Sequence, residues 1–137
     1  MKPKSFKQTI TFEGARPLEV YSLIMDAKKH SAFTSSKVTM SKKVNGKFKM
    51  FDGYCTGFNI ELKEGKKIVQ GWHFKEDGWP EDHFSICTFV FEKNPTCTKL
   101  TFTQTDVPEH KIDTLKEGWK LYYWQPMKAY LAGKHSN

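Results

Sequence analysis

Residues 110–134 are the only long stretch with a helical apolar period, and a lone amphipathic helix dictates what the rest of the chain has to supply. Leu115, Trp119, Tyr122, Pro126, Met127 and Tyr130 recur at three- and four-residue steps and predict one apolar face. Lys116, Glu117, Lys120 and Lys128 fall largely off it. Asp113 or Thr114 suits the start of the helix as a cap, and Gly133 suits its stop. Pro126 lacks a backbone donor and clashes with the turn before it, so a kink is expected there. Such a helix needs a broad apolar surface to lie on.

The preceding residues read as that surface. Phe6 to Glu13 alternates as a half-buried strand, with Phe6, Ile10 and Phe12 on one side. Pro17 opens a short helix, and the stretch through Ala32-Phe33 predicts a second short helix or a broken continuation. From Val38 the period becomes two. Asn45-Gly46 predicts a tight hairpin between Met40 and Phe48. Phe58, Ile60 and Leu62 form the apolar side of the next strand, followed by Ile68, Trp72 and Phe74. Phe84 to Glu92 is apolar on both faces and predicts a central strand covered on both sides. Leu100 and Phe102 alternate with threonines in the last strand. The expectation is α+β in one domain, 1–137. A curved antiparallel sheet of about six or seven strands wraps around a long C-terminal helix, with two short helices after the first strand.

Composition narrows the partners. The net charge is +7, but of 22 basic residues only Arg16 is arginine, the side chain suited to bidentate phosphate and base recognition. Scattered lysines keep sheet edges soluble, so nucleic acid is not expected and an acidic protein surface is the better partner. Three cysteines without CxxC spacing predict reduced thiols in a cytoplasmic protein. No stretch reaches membrane-span length, and the charged start, Met1 to Lys7, has no apolar run behind it as a signal peptide needs.

Several short motifs then fall in a specific order. They are Ala32-Phe33-Thr34, Gly46-Lys47-Phe48 with Met50 and Asp52-Gly53, and Trp72 and Phe74 before Trp79-Pro80. Val107-Pro108 follows, before Gly118-Trp119 and Tyr122-Tyr123. In this order the chain resembles the C-terminal-domain family of the activators of Hsp90 ATPase (Aha1), across roughly 100 residues. The resemblance implies the helix-grip fold of the START-like (Bet v 1-like) superfamily and an Hsp90-type chaperone as partner. The Asn-x-Asn-Asn-Trp-His-Trp opening and Arg-Lys-x-Lys loop of the two-domain activators are absent, which implies a stand-alone homologue.

Two candidate sites follow. A cavity between sheet and helix, suited to a hydrophobic small molecule, draws on Trp72, Phe74 and Phe84 from the sheet and Trp119, Tyr122, Met127 and Tyr130 from the helix. Phe33 and Met50 are placed at its mouth, and Trp79 is expected to tuck back over it. The lysine-rich hairpin, with Lys42, Lys43, Lys47 and Lys49, is the candidate protein-binding edge. No catalytic group, metal site or cofactor is expected. The acidic loop from Glu76 to His83 reads as solvated, His73 points away from the cavity, and Cys87 reads as a small buried hydrophobe. The sequence therefore predicts a non-enzymatic interaction module, with ligand carriage as the alternative.

Overall fold

The computed structural model describes residues 3–135, the side chains of the last two excepted. Met1 and Lys2, the first of the charged starting stretch, lie outside the described residues. Seven antiparallel strands form one sheet. They are β1 (Pro3–Glu13), β2 (Thr39–Met40), β3 (Lys47–Met50), β4 (Cys55–Lys63), β5 (Lys67–Phe74), β6 (Ser85–Lys93) and β7 (Cys97–Pro108). Their order is β1-β7-β6-β5-β4-β3-β2, a meander closed by β1 pairing with the last strand. Between β1 and β2 lie α1 (Pro17–Met25) and α2 (Ala27–Thr34). Pro17 takes the first turn of α1, and Glu19 accepts the Arg16 N–H at 3.0 Å. Asp26 separates the two helices and caps α2 by accepting the Lys29 N–H at 3.0 Å.

The C-terminal helix crosses one face of the sheet as α3 (Ile112–Trp119), a wide π turn (Lys120–Trp124) and α4 (Gln125–His135). The disturbance expected at Pro126 takes the form of this π turn immediately before it. The extra residue in the turn re-phases the helix, so the buried face is Leu115, Trp119, Tyr123, Trp124, Met127 and Leu131. Tyr122, expected on that face, is 61% exposed. No side chain caps the start of α3, which follows a short 3₁₀ turn at Glu109–Lys111, and α4 continues through Gly133.

Three strand readings also change. The connection at Asn45-Gly46 is a loop from Ser41 to Gly46 in which only Asn45 has a positive φ, 67°. It docks on β4, with Asn45 N–H donating to the Asn59 carbonyl and Asn59 N–H to the Gly46 carbonyl. On β4, Cys55, Gly57 and Asn59 face the helix, while Phe58 takes the outer face. A bulge between Asn59 and Glu61 shifts the register, and Ile60 is exposed. Gly57 is required there, because a Cβ would sit 2.3 Å from the Phe48 ring and 2.0 Å from the Gly71 carbonyl. Finally, β6 lies inside the sheet, but only its inner side (Ser85, Cys87, Phe89, Phe91) is fully buried. Ile86, Thr88 and Val90 are half-buried on an outer face that no helix of the described residues covers.

Candidate functional site

The inner sheet face and the helix meet through an aromatic layer. Trp119 lies 4.4 Å from Phe102, 4.7 Å from Tyr123 and 5.0 Å from Trp72, centroid to centroid. Edge-to-face and tilted pairs dominate, as the ring quadrupoles prefer. Each indole N–H is held. Trp72 donates to Gln70 Oε1, Trp119 to Gln104 Oε1 and Trp124 to Gln8 Oε1, at 2.8–2.9 Å. The two fully buried glutamines have further partners, since Gln70 Nε2 donates to Asn59 Oδ1 and Gln104 Nε2 to Ser85 Oγ. Asn59 Nδ2 in turn donates to the Ser41 and Lys43 carbonyls at 2.7 and 3.0 Å. A buried polar chain therefore runs from Trp72 to the lysine-rich loop, with every link satisfied.

At one end of this layer the helix and sheet part. They leave an open cavity of about 480 Å³ between the start of β4, the end of β5, and α3 with its π turn. Trp72, Phe74, Leu115, Trp119 and Tyr123 form the inner wall, and Phe51, Leu121 and Tyr122 the outer rim. At the mouth Glu76 accepts a hydrogen bond from the Tyr54 hydroxyl and pairs with Lys111 Nζ at 3.1 Å. Burial first, and the Glu76 carboxylate next, hold the Tyr54 hydroxyl well above its usual range. The wall is apolar and its polar tips are already engaged, so the space suits shape and apolar area more than directed hydrogen bonds.

Of the residues proposed for this cavity, Trp72, Phe74, Trp119 and Tyr122 line it, the last from the exposed rim. Trp79 buttresses it, tucked back as expected, 4.9 Å from Phe74 with its N–H on the His83 carbonyl. Phe33, Met50 and Met127 are packed into the core, and Tyr130 is half-buried beside it. Phe84 is on the other face of the sheet, against Phe58 and His73, because the parity of β6 turns it outward. His73 also lies there, its Nδ1 on the His83 carbonyl. Among the described residues no His/Cys/Asp/Glu cluster gathers as a metal site. Burial raises the Cys55 and Cys87 thiols, the wrong direction for a nucleophile.

One buried pair had not been singled out. His30, fully buried on α2, places Nδ1 3.0 Å from the Ile24 carbonyl and Nε2 2.8 Å from the Tyr123 hydroxyl. A carbonyl only accepts, so Nδ1 carries the proton and the Tyr123 hydroxyl donates to Nε2. Desolvation pushes the His30 pKa down to about 4. His30 stacks on Phe33 within α2 at 5.1 Å, and both rings meet Tyr123 edge-on, fastening α2 to the C-terminal helix. Tyr123 stands four residues from both Trp119 and Met127, so the helical period offers it beside Tyr122. Gln70 could have been found by strand parity, since an amide between Ile68 and Trp72 on the inner side calls for a donor such as an indole.

The lysine candidates sit apart from the cavity. Lys42, Lys43, Lys47 and Lys49 are all exposed on the loop and β3. Lys47 and Lys49 border an open outer-face groove of about 490 Å³ floored by Phe58 and Phe84. No helix of the described residues is long and apolar enough to cross a membrane.

Comparison with known proteins agrees with this architecture. The sequence profile of the family described as "Activator of Hsp90 ATPase homolog 1-like protein" matches residues 14–132. The human "Activator of 90 kDa heat shock protein ATPase homolog 1" is 32% identical over 112 residues, which are 82% of this chain and 32% of the human protein. The chain thus spans about a third of the length of that curated relative. The crystal structure of an HSP90 activator from Plasmodium falciparum superposes with a TM-score of 0.85 at 26% identity, covering 93% of this chain and 96% of that one. A Mesorhizobium loti protein, 15% identical with a TM-score of 0.76 over 95% and 96% of the two chains, shares the fold. With its seven-stranded sheet and long C-terminal helix, the chain belongs to the Activator of Hsp90 ATPase homolog 1-like family.

Proposed function

We propose that this chain is a non-enzymatic docking module for an Hsp90-type chaperone and stimulates its ATPase. The observation that carries the reading is the likeness to the Plasmodium falciparum HSP90 activator along almost the whole of both chains. The lysine-rich loop and the outer-face groove are the docking surface. Lys47 and Lys49 border an aromatic floor, Lys42 and Lys43 extend the positive charge along the adjoining loop, and Asn59 holds that loop in place from below. Such a surface meets an acidic patch with steering from a distance and apolar contact at the centre. The test is chaperone ATPase turnover and binding with the purified chain at low and high salt. Stimulation that weakens with salt and is lost in the K42E/K43E/K47E/K49E variant supports the proposal. A chaperone that neither binds the chain nor changes its turnover at low salt sinks it.

A second reading is supported by the cavity, which is open and apolar. Here the chain holds a hydrophobic, flat small molecule against Trp72 and Trp119, with Leu121 and Tyr122 as the exposed apolar rim. Quenching of tryptophan emission by an anilinonaphthalene sulfonate probe tests it. Saturable quenching that a bulky Leu121→Trp substitution at the rim diminishes is the expected result, and no quenching counts against a ligand.

A further inference from the structure

We infer that the free edge of β1 is a second docking site, which takes an extended acidic segment of another protein as an eighth strand. The two edges of the sheet are treated differently. One ends in β2, only two residues long, too short to template pairing. The other ends in β1, eleven residues long, with no strand of the described residues on its outer side. Protective features cluster in the first half of β1: Pro3, Lys4, the register shift between Lys4 and Phe6, and Lys7. From Gln8 to Phe12 there is no charge, proline or register shift, and Thr9, Ile10, Thr11 and Phe12 favour extended backbone. Alternate residues of this stretch turn their N–H and C=O groups away from β7 and leave them open to a partner.

The space beside that edge is shaped by the helix. An open groove of about 570 Å³ runs between Gln8, Thr9 and Thr11 on the strand and Lys120, Trp124 and Lys128 on the helix. Because both inner-facing Gln8 and outer-facing Thr9 line it, the groove straddles the strand's edge and not one face. Two lysines line it and no carboxylate does. Among the described residues neither lysine is in an ion pair. Trp124 is fixed by its N–H on Gln8 Oε1, so the wall is preorganised. An added strand would exchange main-chain hydrogen bonds with β1 while its acidic side chains reach Lys120 and Lys128. A second copy of this chain fits poorly. Pairing β1 on β1 would bring Lys7, Lys120 and Lys128 of two molecules of net charge +7 together.

The site is separate from the lysine-rich loop, so loss of chaperone stimulation in the loop variant leaves it untouched. The probe is a blocked peptide of alternating glutamate and valine, about ten residues long. Its binding to the full chain is followed by fluorescence polarisation and by amide exchange of the ¹⁵N-labelled protein. Slowed exchange at residues 8–12 and salt-sensitive affinity are expected. K120E/K128E, both at exposed positions, should weaken binding about tenfold with thermal unfolding unchanged. A peptide N-methylated at alternate backbone nitrogens should not bind. The inference is overturned if the acidic peptide fails to bind, if the methylated or a lysine-for-glutamate peptide binds equally well, or if the shifts fall on residues 42–49. Concentration-dependent dimers that protect residues 8–12 would overturn it in favour of self-pairing.

Discussion

His30 is the residue whose chemistry reaches furthest into the fold. It is neutral when buried and ionises at about 4, against 6.5 in the unfolded chain. Between those values the unfolded state binds the extra proton, so the contribution is complete above pH 6.5 and is lost as pH falls toward 4. The size is on the order of 3 kcal/mol. Urea titrations should show stability declining across that window, and His30→Gln should flatten that part of the profile. A second prediction separates adjacent tyrosines. Tyr123→Phe removes the donor to His30 Nε2, leaves a buried acceptor unpaired and should cost about 1–3 kcal/mol. Tyr122→Ala, at a position 61% exposed, should change stability by less than about 0.5 kcal/mol. Equal costs for the two in chemical denaturation would contradict the assignment of the buried face. The sequence could not separate them, because Tyr122 stands three and Tyr123 four residues after Trp119 and a helical period admits either step.

At the scale of the element, that turn has a definite cause. A regular helix would press the Pro126 ring against the carbonyl four residues back, and a widened turn just ahead of the ring relieves the contact. The arithmetic of the buried face supports this reading. Relative to Trp119, Tyr123 keeps a regular four-residue step while Trp124, Met127 and Leu131 drift off a 3.6-residue stripe, and with Tyr122 deleted all four would stand 3, 4, 7 and 11 residues on, a regular apolar stripe. Deleting Tyr122 alone should therefore preserve the aromatic layer but restore the proline clash, at about 3 kcal/mol. Adding Pro126→Ala should recover most of that loss. If the double variant is no more stable than the deletion alone in thermal melts, Pro126 is not what widens the turn. The strands were legible wherever one face alternates cleanly, as in β1, β5 and β7. They were misread on β4, where Gly57 and Asn59 point inward and Phe58 outward. There the signal is steric and polar: Phe48 excludes any side chain at Gly57, and the amide of Asn59 ties down the loop at Ser41 and Lys43.

For the whole molecule, the sheet separates the two surfaces of interest. The cavity opens between the sheet's inner face and the helix, whereas Lys47 and Lys49 border a groove on its outer face. The order of elements was readable in advance, because one aromatic helix after a run of alternating strands has few ways to bury its face. How tightly helix and sheet close was not readable, since it depends on the phase of the π turn and on which indole finds which amide. Separation on opposite faces makes the two activities independent in a testable way. Reversing Lys42, Lys43, Lys47 and Lys49 removes positive charge from the outer surface without touching the cavity wall, so chaperone affinity should fall at least about tenfold at low salt. Probe binding in the cavity should stay within about twofold of the parent, because sites with no shared contacts act additively. The reciprocal variant, Leu121→Trp, should diminish probe binding and leave chaperone affinity intact. The buried chain Trp72–Gln70–Asn59 is a hydrogen-bonded link between the surfaces, beside the ring contact of Phe48 on Trp72. If probe binding changes chaperone affinity, replacing Gln70 by leucine should abolish that change while both sites still bind, which distinguishes coupling through the core from an overlap of the two sites.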